Sequence, residues 1–408
     1  MTDPQRTASS ESPSQANGRS ARAGRANAEE LPRLRLTRGR LLAALLFVAS
    51  AVAFLYFVLP RLLGLNETWN RIQHGNAWWL ALAAVLEVCS FCGYIVLFRG
   101  VFVRGRSSGS AAPDGGAPAR IGWAESYQIT MASLAATRLF AAAGAGGIAL
   151  TAWALRRSGM GRRTVASRMI AFLALLYGVY MAALVIDGVA LYLGLIPGQA
   201  PFAITIVPAI FGAIVISVFL GISTLPVDVN RMMGSLSAGR RRVSRVAMRV
   251  SAASATAATG VRTAIELLRD RNPSTLGAVG WWGFDIAVLW ACFHAFGGSP
   301  PKGVIVMSYF VGMLGNALPL PGGIGGVDGG MIGAFTAFGV NVELSVVAVL
   351  AYRAFAFWLP TLPGAVAYFQ LRRTVHRWST EAGGYSGTPP GGCAPHPEPG
   401  APTAALES

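Results

Sequence analysis

The feature that most constrains this chain is a series of apolar runs, each about 20 residues long, enough for a helix to cross a hydrocarbon layer about 30 Å thick. Inside such a layer every backbone N–H and C=O group must be hydrogen-bonded within the protein, and a helix meets that demand within one segment. Only 13% of the residues are charged, whereas 53% are hydrophobic. The sequence therefore predicts an all-α polytopic membrane protein.

Hydropathy divides the chain into six predicted full spans and two interrupted apolar segments. The interrupted segments, about 121–155 and 303–341, contain glycine clusters, so each is predicted to enter the membrane and return as a re-entrant helical hairpin. The final span contains Pro360 and Pro363, which predict a kink or an early end. The six full spans cover about 41–60, 78–98, 168–193, 202–223, 275–297 and 343–371.

The sequence on either side of the predicted transmembrane domain, 40–375, has a different composition. Residues 1–39 are rich in Ser, Ala and Arg, and residues 376–408 are rich in Pro and Gly, so both are predicted to be disordered tails. A basic linker is predicted at 225–274. Within it, RRRVSRVAMRV at 240–250 has the faces of a basic amphipathic helix on a membrane surface, with a solvated linker as the alternative.

The distribution of basic residues predicts the orientation. With both termini in the cytoplasm, 28 of the 34 Lys and Arg residues fall in cytoplasmic segments, which is the bias of the positive-inside rule. That bias also explains the net charge of +16, and since no nucleic-acid-binding motif is present, no nucleic-acid partner is predicted. In this orientation the two hairpins enter the membrane from opposite faces.

The two interrupted segments also resemble each other. SYQITM and SYFVGM precede glycine clusters, AAAGAGGIAL at 141–150 and PLPGGIGGVDGG at 319–330. Because the hairpins face opposite ways, we predict an inverted-topology repeat, with copies at about 78–193 and 275–371. Such repeats place a substrate site near the membrane midplane, between discontinuous helices.

The glycine clusters are predicted to line that site. Irregular backbone at membrane depth is stable only where protein or water satisfies its hydrogen bonds, and the helices that begin beyond the clusters direct free N–H groups at a bound anion. Close helix packing is the alternative, which suits 141–150 better than 319–330, where prolines stop the helix. The cluster residues assigned to substrate binding are Gly144, Gly146, Gly147, Pro321, Gly322, Gly323 and Gly325.

Three charged residues complete the predicted substrate site, because ionisable groups inside spans are costly and typical of function. Arg138 precedes the first cluster, Asp328 lies in the second, and Arg353 lies within the final span. One hypothesis places the two arginines at a phosphate-bearing headgroup, with Asp328 as a partner or gate. The other makes them structural ion pairs, for example between Asp328 and Arg353, and both can hold at different stages of a cycle.

Other polar residues receive weaker assignments. For Glu87 and Asp285 a buried hydrogen bond or ion pair is favoured over proton coupling, and Arg168 is expected to extend to the cytoplasmic surface. The histidines are scattered, and no Walker loop, HExxH motif or nucleophile elbow is present. The sequence therefore predicts no catalytic residue, no metal ion and no cofactor.

Two motifs resemble a known family. RLFAAAGAGGIALTAWALRRSGM at 138–160 and LPLPGGIGGVDGGMIGAFTAFGV at 318–340, followed by Tyr352–Arg353, are similar to the lysylphosphatidylglycerol synthase transmembrane-region family. The resemblance covers about 40–375. It implies a flippase-like protein of the plasma (inner) membrane that moves a lipid or lipid-linked headgroup, such as that of an anionic phospholipid, between leaflets.

Two departures from the family pattern bear on the site and on catalysis. Asp328 stands where the family usually has Glu, so pairing with Arg353 would need closer backbones. In two-domain synthases an aminoacyl-transferase domain follows the membrane part, whereas only a short tail follows the last predicted span here, so the chain is not expected to be an enzyme that makes aminoacyl-lipid. The alternatives to a flippase are a non-transporting membrane scaffold that partners a separate lipid-modifying enzyme and an ion-coupled transporter of a small solute.

Overall fold

The computed structural model describes residues 75–103, 121–139, 145–198, 201–224, 241–317 and 323–384, and within these ranges the chain is helical, with no β-strand. Short 3₁₀ segments precede one helix and follow another. The helices in chain order are α1 (Ala77–Phe102), α2 (Trp123–Leu139), α3 (Ala145–Arg157), α4 (Arg162–Tyr192), α5 (Phe202–Thr224), α6 (Arg241–Arg269), α7 (Leu276–Ala295), α8 (Lys302–Met313), α9 (Gly326–Ala337), α10 (Val342–Arg353) and α11 (Leu359–Gly384).

Five helical runs in this part of the chain are long and apolar enough to cross a membrane. They correspond to five of the six predicted spans, and the remaining one, 41–60, lies outside the described residues. The prediction of an all-α polytopic membrane protein is therefore confirmed. The five runs are Ala77–Phe102, Arg162–Tyr192, Phe202–Thr224, Pro273–Ala295 and Val342–Trp378.

Each interrupted apolar segment forms two short helices that pack against each other, α2 with α3 and α8 with α9. A helix of 12 residues, such as α8, is about 18 Å long at 1.5 Å per residue, too short to cross the hydrocarbon layer. This is the shape expected of a re-entrant hairpin. The order of long helix, hairpin and long helix occurs twice, and the inverted orientation of the two copies stays a prediction.

The helices α1 and α7 cross with their backbones in close approach. A Cβ atom on Gly277 would lie 2.4 Å from the carbonyl oxygen of Gly93, and one on Gly93 would lie 2.9 Å from the backbone nitrogen of Trp281. No side chain fits at such distances, so small residues allow the crossing, as they do between membrane helices in general. The crossing joins the first long helix of one half to the first long helix of the other.

The final membrane run does not end at its prolines. Residues Ala354–Trp358 form a π turn, after which α11 continues through Pro363 to Gly384. Of the two predicted outcomes, a kink or an early end, the early end does not occur. The irregularity precedes Pro360, where a wider turn interrupts the regular i→i−4 ladder, and the helix extends past 376, the predicted start of the C-terminal tail.

The basic linker contains a helix that packs on the membrane domain. Helix α6 lies against α4 and α5 and buries Ala258, Val261 and Ala264. Arg262 Nε donates to the carbonyl of Ser223 at 2.9 Å, at the C-terminal end of α5, where a cation is favourable. The side chains of the basic face predicted at 240–250 lie outside those that the structure describes.

Arg168 makes a similar contact. Its Nη1 donates to the carbonyl of Phe102 at 2.8 Å, at the last residue of α1. The side chain was expected to extend to the membrane surface, and the structure shows that it holds a helix C-terminus.

We expect Gly277→Ala to destabilise the fold by about 1–3 kcal/mol, the usual range for overpacking, because its methyl group would collide with the backbone of α1. The lowered melting temperature can be measured on detergent-solubilised protein by fluorescence. Gly283→Ala is the matched control, since no atom outside its own helix lies within 4 Å of a Cβ there. Equal melting temperatures for the two variants would contradict the close crossing.

Candidate functional site

Asp328 ties the second hairpin to the final membrane run. Its Oδ2 accepts from the backbone N–H of Gly325 at 2.9 Å, which caps the start of α9. Its Oδ1 lies 2.6 Å from Nε of Arg353, and the Asp328 side chain is only 2% exposed. The shorter carboxylate thus still reaches the arginine, in the ion pair that the sequence offered as one of two interpretations.

The glycines before α9 have a conformational role. Gly323 has a φ of +67° and Gly325 a φ of +84°, a region that costs residues with a side chain about 1–2 kcal/mol. Together they allow the chain to turn into α9 immediately before Asp328. Pro321 and Gly322, the other predicted site residues of this cluster, lie outside the described residues.

In the first glycine cluster, Gly147 has a packing role. A Cβ on Gly147 would lie 2.1 Å from Oγ1 of Thr137 and 2.6 Å from the carbonyl oxygen of Ser133. Gly147 therefore lets α3 pack closely on α2, as the packing alternative proposed. Gly146 precedes it in α3 and is partly buried, and Gly144 lies outside the described residues.

Arg138 links the first hairpin to the final membrane run. It lies in the last turn of α2, and its Nη1 donates to the carbonyl of Phe357 at 3.2 Å. Phe357 belongs to the π turn, and its carbonyl also accepts from the hydroxyl of Thr361. The arginine thus donates a hydrogen bond to a backbone carbonyl in a segment where the regular i→i−4 hydrogen bonding of the helix is interrupted.

The two predicted arginines converge on Phe357. Arg138 binds its carbonyl, while the guanidinium carbon of Arg353 lies 5.9 Å from the centroid of its ring. Arg138 and Arg353 are also within electrostatic range of each other. The structure therefore brings together three of the predicted site residues, namely both arginines and Asp328.

A second group of buried polar side chains lies beside the arginines, and we call it the carboxyl cluster: Glu87, Asp285, Tyr309 and Tyr352. The hydroxyl groups of Tyr309 and Tyr352 both donate to Oδ2 of Asp285, the latter at 3.0 Å. Glu87 lies within hydrogen-bonding reach of Asp285. None of the four side chains is more than 6% exposed, so the buried hydrogen bonding favoured for Asp285 is confirmed.

The carboxyl cluster and the arginines form one electrostatic site. Arg138 interacts electrostatically with both Glu87 and Asp285. Tyr352 precedes Arg353 in the chain and also interacts with it electrostatically. Sequence reasoning assigned no role to Tyr309 or Tyr352. The available signal was their position, one inside the repeated motif SYFVGM and the other directly before Arg353.

A further basic feature lies on α11, away from the predicted site residues. A surface groove of about 680 Å³ is lined by residues of the last turns of the membrane run. Its position after the final span makes it part of the predicted cytoplasmic face. The lining residues are Phe369, Arg372, Arg373, His376 and Arg377.

The fold and the site together define a class: a polytopic helical membrane protein in which interrupted hairpins are tied to the final membrane run by partly buried arginines. Within that class, the family model described as lysylphosphatidylglycerol synthase TM region matches residues 41–364. The chain belongs to this family.

Two related proteins, each described as a UPF0104 membrane protein from Methanothermobacter thermautotrophicus, are similar in sequence. One is 35% identical over 112 residues, which is 26% of this chain and 31% of the relative. The other is 28% identical over 207 residues, which is 47% of this chain and 58% of the relative. The chain thus spans less than two thirds of the length of either match.

We expect Asp328→Asn to destabilise the protein by about 3 kcal/mol, the lower end of the range for breaking a buried ion pair. The lower end applies because Arg353 is 11% exposed and water can partly solvate it once its partner is neutral. The melting temperature of the variant in detergent measures this. Asp270→Asn removes an exposed carboxylate on the surface and should change little. A wild-type melting temperature for Asp328→Asn would refute a stabilising ion pair.

Proposed function

We propose that this protein binds the phosphate-bearing headgroup of an anionic phospholipid or lipid-linked compound between its two interrupted hairpins and moves it between leaflets. The observation that carries the proposal is the convergence of Arg138 and Arg353 on Phe357. One arginine comes from the first hairpin, and the other lies beside the second. The proposal assigns transport to this chain and no catalysis.

The chemistry of the two arginines supports a phosphate ligand. A guanidinium group is always charged and presents a planar fork of donors that matches two phosphate oxygens. Two such groups near each other in a buried site repel, and a bound anion between them would relieve that repulsion. The description of the family supports the same class, since lysylphosphatidylglycerol is a phospholipid.

The ion pair between Asp328 and Arg353 supports a gating role for the carboxylate. Asp328 occupies Arg353 in the present arrangement, at 2.6 Å, so a phosphate must compete with it or share the guanidinium. Because Asp328 also caps α9 through Gly325, release of Arg353 would loosen the start of that helix. We propose that the site alternates between the ion-paired form and a headgroup-bound form.

The membrane arrangement that goes with this function is a plasma (inner) membrane protein with both termini in the cytoplasm. The basic residues support this orientation, since most of them lie in segments that it places in the cytoplasm. Hairpins that enter from opposite faces would then give the headgroup access to the site from either side.

A flippase assay tests the proposal. Protein reconstituted into liposomes with fluorescently labelled phosphatidylglycerol should expose inner-leaflet label to dithionite, which bleaches only label in the outer leaflet. We expect Arg138→Ala and Arg353→Ala to lose this activity by about tenfold or more, since a hydrogen bond to a charged group contributes about 1.5–3 kcal/mol. Arg138→Lys and Arg353→Lys should retain part of it, because lysine keeps the charge without the fork.

The control separates loss of function from loss of fold. Each variant is compared by melting temperature and size-exclusion profile before reconstitution, and the two lysine variants keep the positive charge that Asp328 and the carboxyl cluster face. Wild-type transport by a folded Arg138→Ala protein would refute a headgroup site at these arginines.

The basic groove on α11 favours a second candidate, a scaffold that partners a separate lipid-modifying enzyme. Three arginines in its lining, Arg372, Arg373 and Arg377, present a positive surface for an acidic partner. Replacing all three with Ala should abolish association with such an enzyme and leave the melting temperature unchanged, since exposed surface substitutions change stability little. A folded triple variant that still associates with the enzyme would contradict docking at the groove.

A further inference from the structure

We propose that binding of the anionic headgroup is coupled to the uptake of one proton by the buried pair Glu87 and Asp285. The inference rests on the proposed function, since the anion is the headgroup held by Arg138 and Arg353. It adds a driving force, because a proton gradient across the membrane would then move the headgroup in the direction in which protons flow.

The hydrogen bonds show which member of the pair carries the negative charge. Tyr309 and Tyr352 both donate to Oδ2 of Asp285, and hydrogen bonds to a carboxylate favour its charged form. Oε2 of Glu87 has no hydrogen-bond partner among the described residues, and a bare ionised oxygen there would be costly. Asp285 is therefore the anion, and Glu87 holds the proton that joins the two carboxyl groups.

The groups that face the pair come from every helix packed against it. On α4, the buried hydroxyl of Tyr180 is engaged elsewhere, because it donates to the carbonyl of Phe310. The remaining groups are Arg138 from α2, Cys292 from α7 itself, Tyr309 from α8 and Tyr352 from α10.

With one proton on the pair, the charges of the site balance. Arg138 and Arg353 are positive, while Asp328 and Asp285 are negative. Asp328 pairs with Arg353, and Glu87 and Asp285 interact electrostatically with Arg138. A buried site with equal numbers of opposite charges avoids the large cost of an uncompensated charge at low dielectric.

Binding of a monoanionic phosphate disturbs this balance by one negative charge. Arg138 then divides its attraction between the phosphate and the Asp285 carboxylate, so the carboxylate loses part of its stabilisation. Uptake of a proton by the pair restores neutrality. Because binding and protonation are thermodynamically linked, affinity for the anion should rise about tenfold for each unit of pH decrease over the range in which the pair takes up its proton.

Calorimetry of the full-length protein in detergent tests the coupling. Dihexanoyl phosphatidylglycerol is titrated into the protein in buffers with different ionisation enthalpies, and the difference in heat gives the number of protons taken up per bound lipid. We expect about one proton for the wild-type protein. Glu87→Gln and Asp285→Asn each leave one carboxyl group in the pair, so each should retain proton uptake.

The double variant, Glu87→Gln with Asp285→Asn, removes both carboxyl groups at nearly constant volume. It should bind the lipid without proton uptake and with an affinity that no longer depends on pH. Asp270→Asn, which removes an exposed carboxylate, is the matched control and should behave as the wild-type protein does.

The outcomes separate this inference from the proposed function. Lipid binding by the wild-type protein without proton uptake overturns the coupling and leaves the headgroup site standing. Absence of lipid binding overturns both. Proton uptake that persists in the double variant overturns the assignment to Glu87 and Asp285, and the wild-type proton number decides the matter even if the double variant does not fold.

Discussion

One carboxylate, that of Asp328, holds the arrangement around the candidate site. It caps the start of α9 with one oxygen and pairs with Arg353 with the other, so the position of the second hairpin relative to the final membrane run depends on it. Loss of the carboxylate would leave Arg353, which is only 11% exposed, without its ionic partner, which is costly. The hairpin therefore has one favourable position, unless a ligand supplies the missing negative charge.

Other helices are also held together because polar groups inside the protein need hydrogen-bond partners. Arg138 donates to the carbonyl of Phe357, and Arg168 donates to the carbonyl of Phe102. The indole N–H of Trp282 donates to the carbonyl of Leu176. Each contact joins segments distant in sequence, and each uses a long side chain to satisfy a backbone carbonyl at the end of a helix or within the membrane domain. The structural role of Arg138 and its proposed role in binding overlap, since the group that satisfies a carbonyl is also within electrostatic range of the carboxyl cluster and Arg353.

Several features of the site could be predicted from particular residues. Arg138, Asp328 and Arg353 stood out because charges are rare and costly in apolar segments, and the structure places them together. The roles of the glycines were not separable in sequence: Gly147 packs against α2, whereas Gly325 turns the chain, and only the backbone conformation and the neighbouring atoms distinguish these uses. Tyr309 and Tyr352 were not assigned because a tyrosine in an apolar helix is ordinary until a buried carboxylate is found opposite its hydroxyl.

The sequence by itself determined that this chain is a helical membrane protein with interrupted hairpins, because hydropathy, run length and glycine content act locally, within one segment at a time. The tertiary structure decided which charged groups meet. That Asp285 accepts from two tyrosines on different helices, that Glu87 lies beside it, and that two arginines converge on Phe357 all depend on how helices cross. Those crossings follow from packing between segments far apart in the chain, which no local pattern encodes.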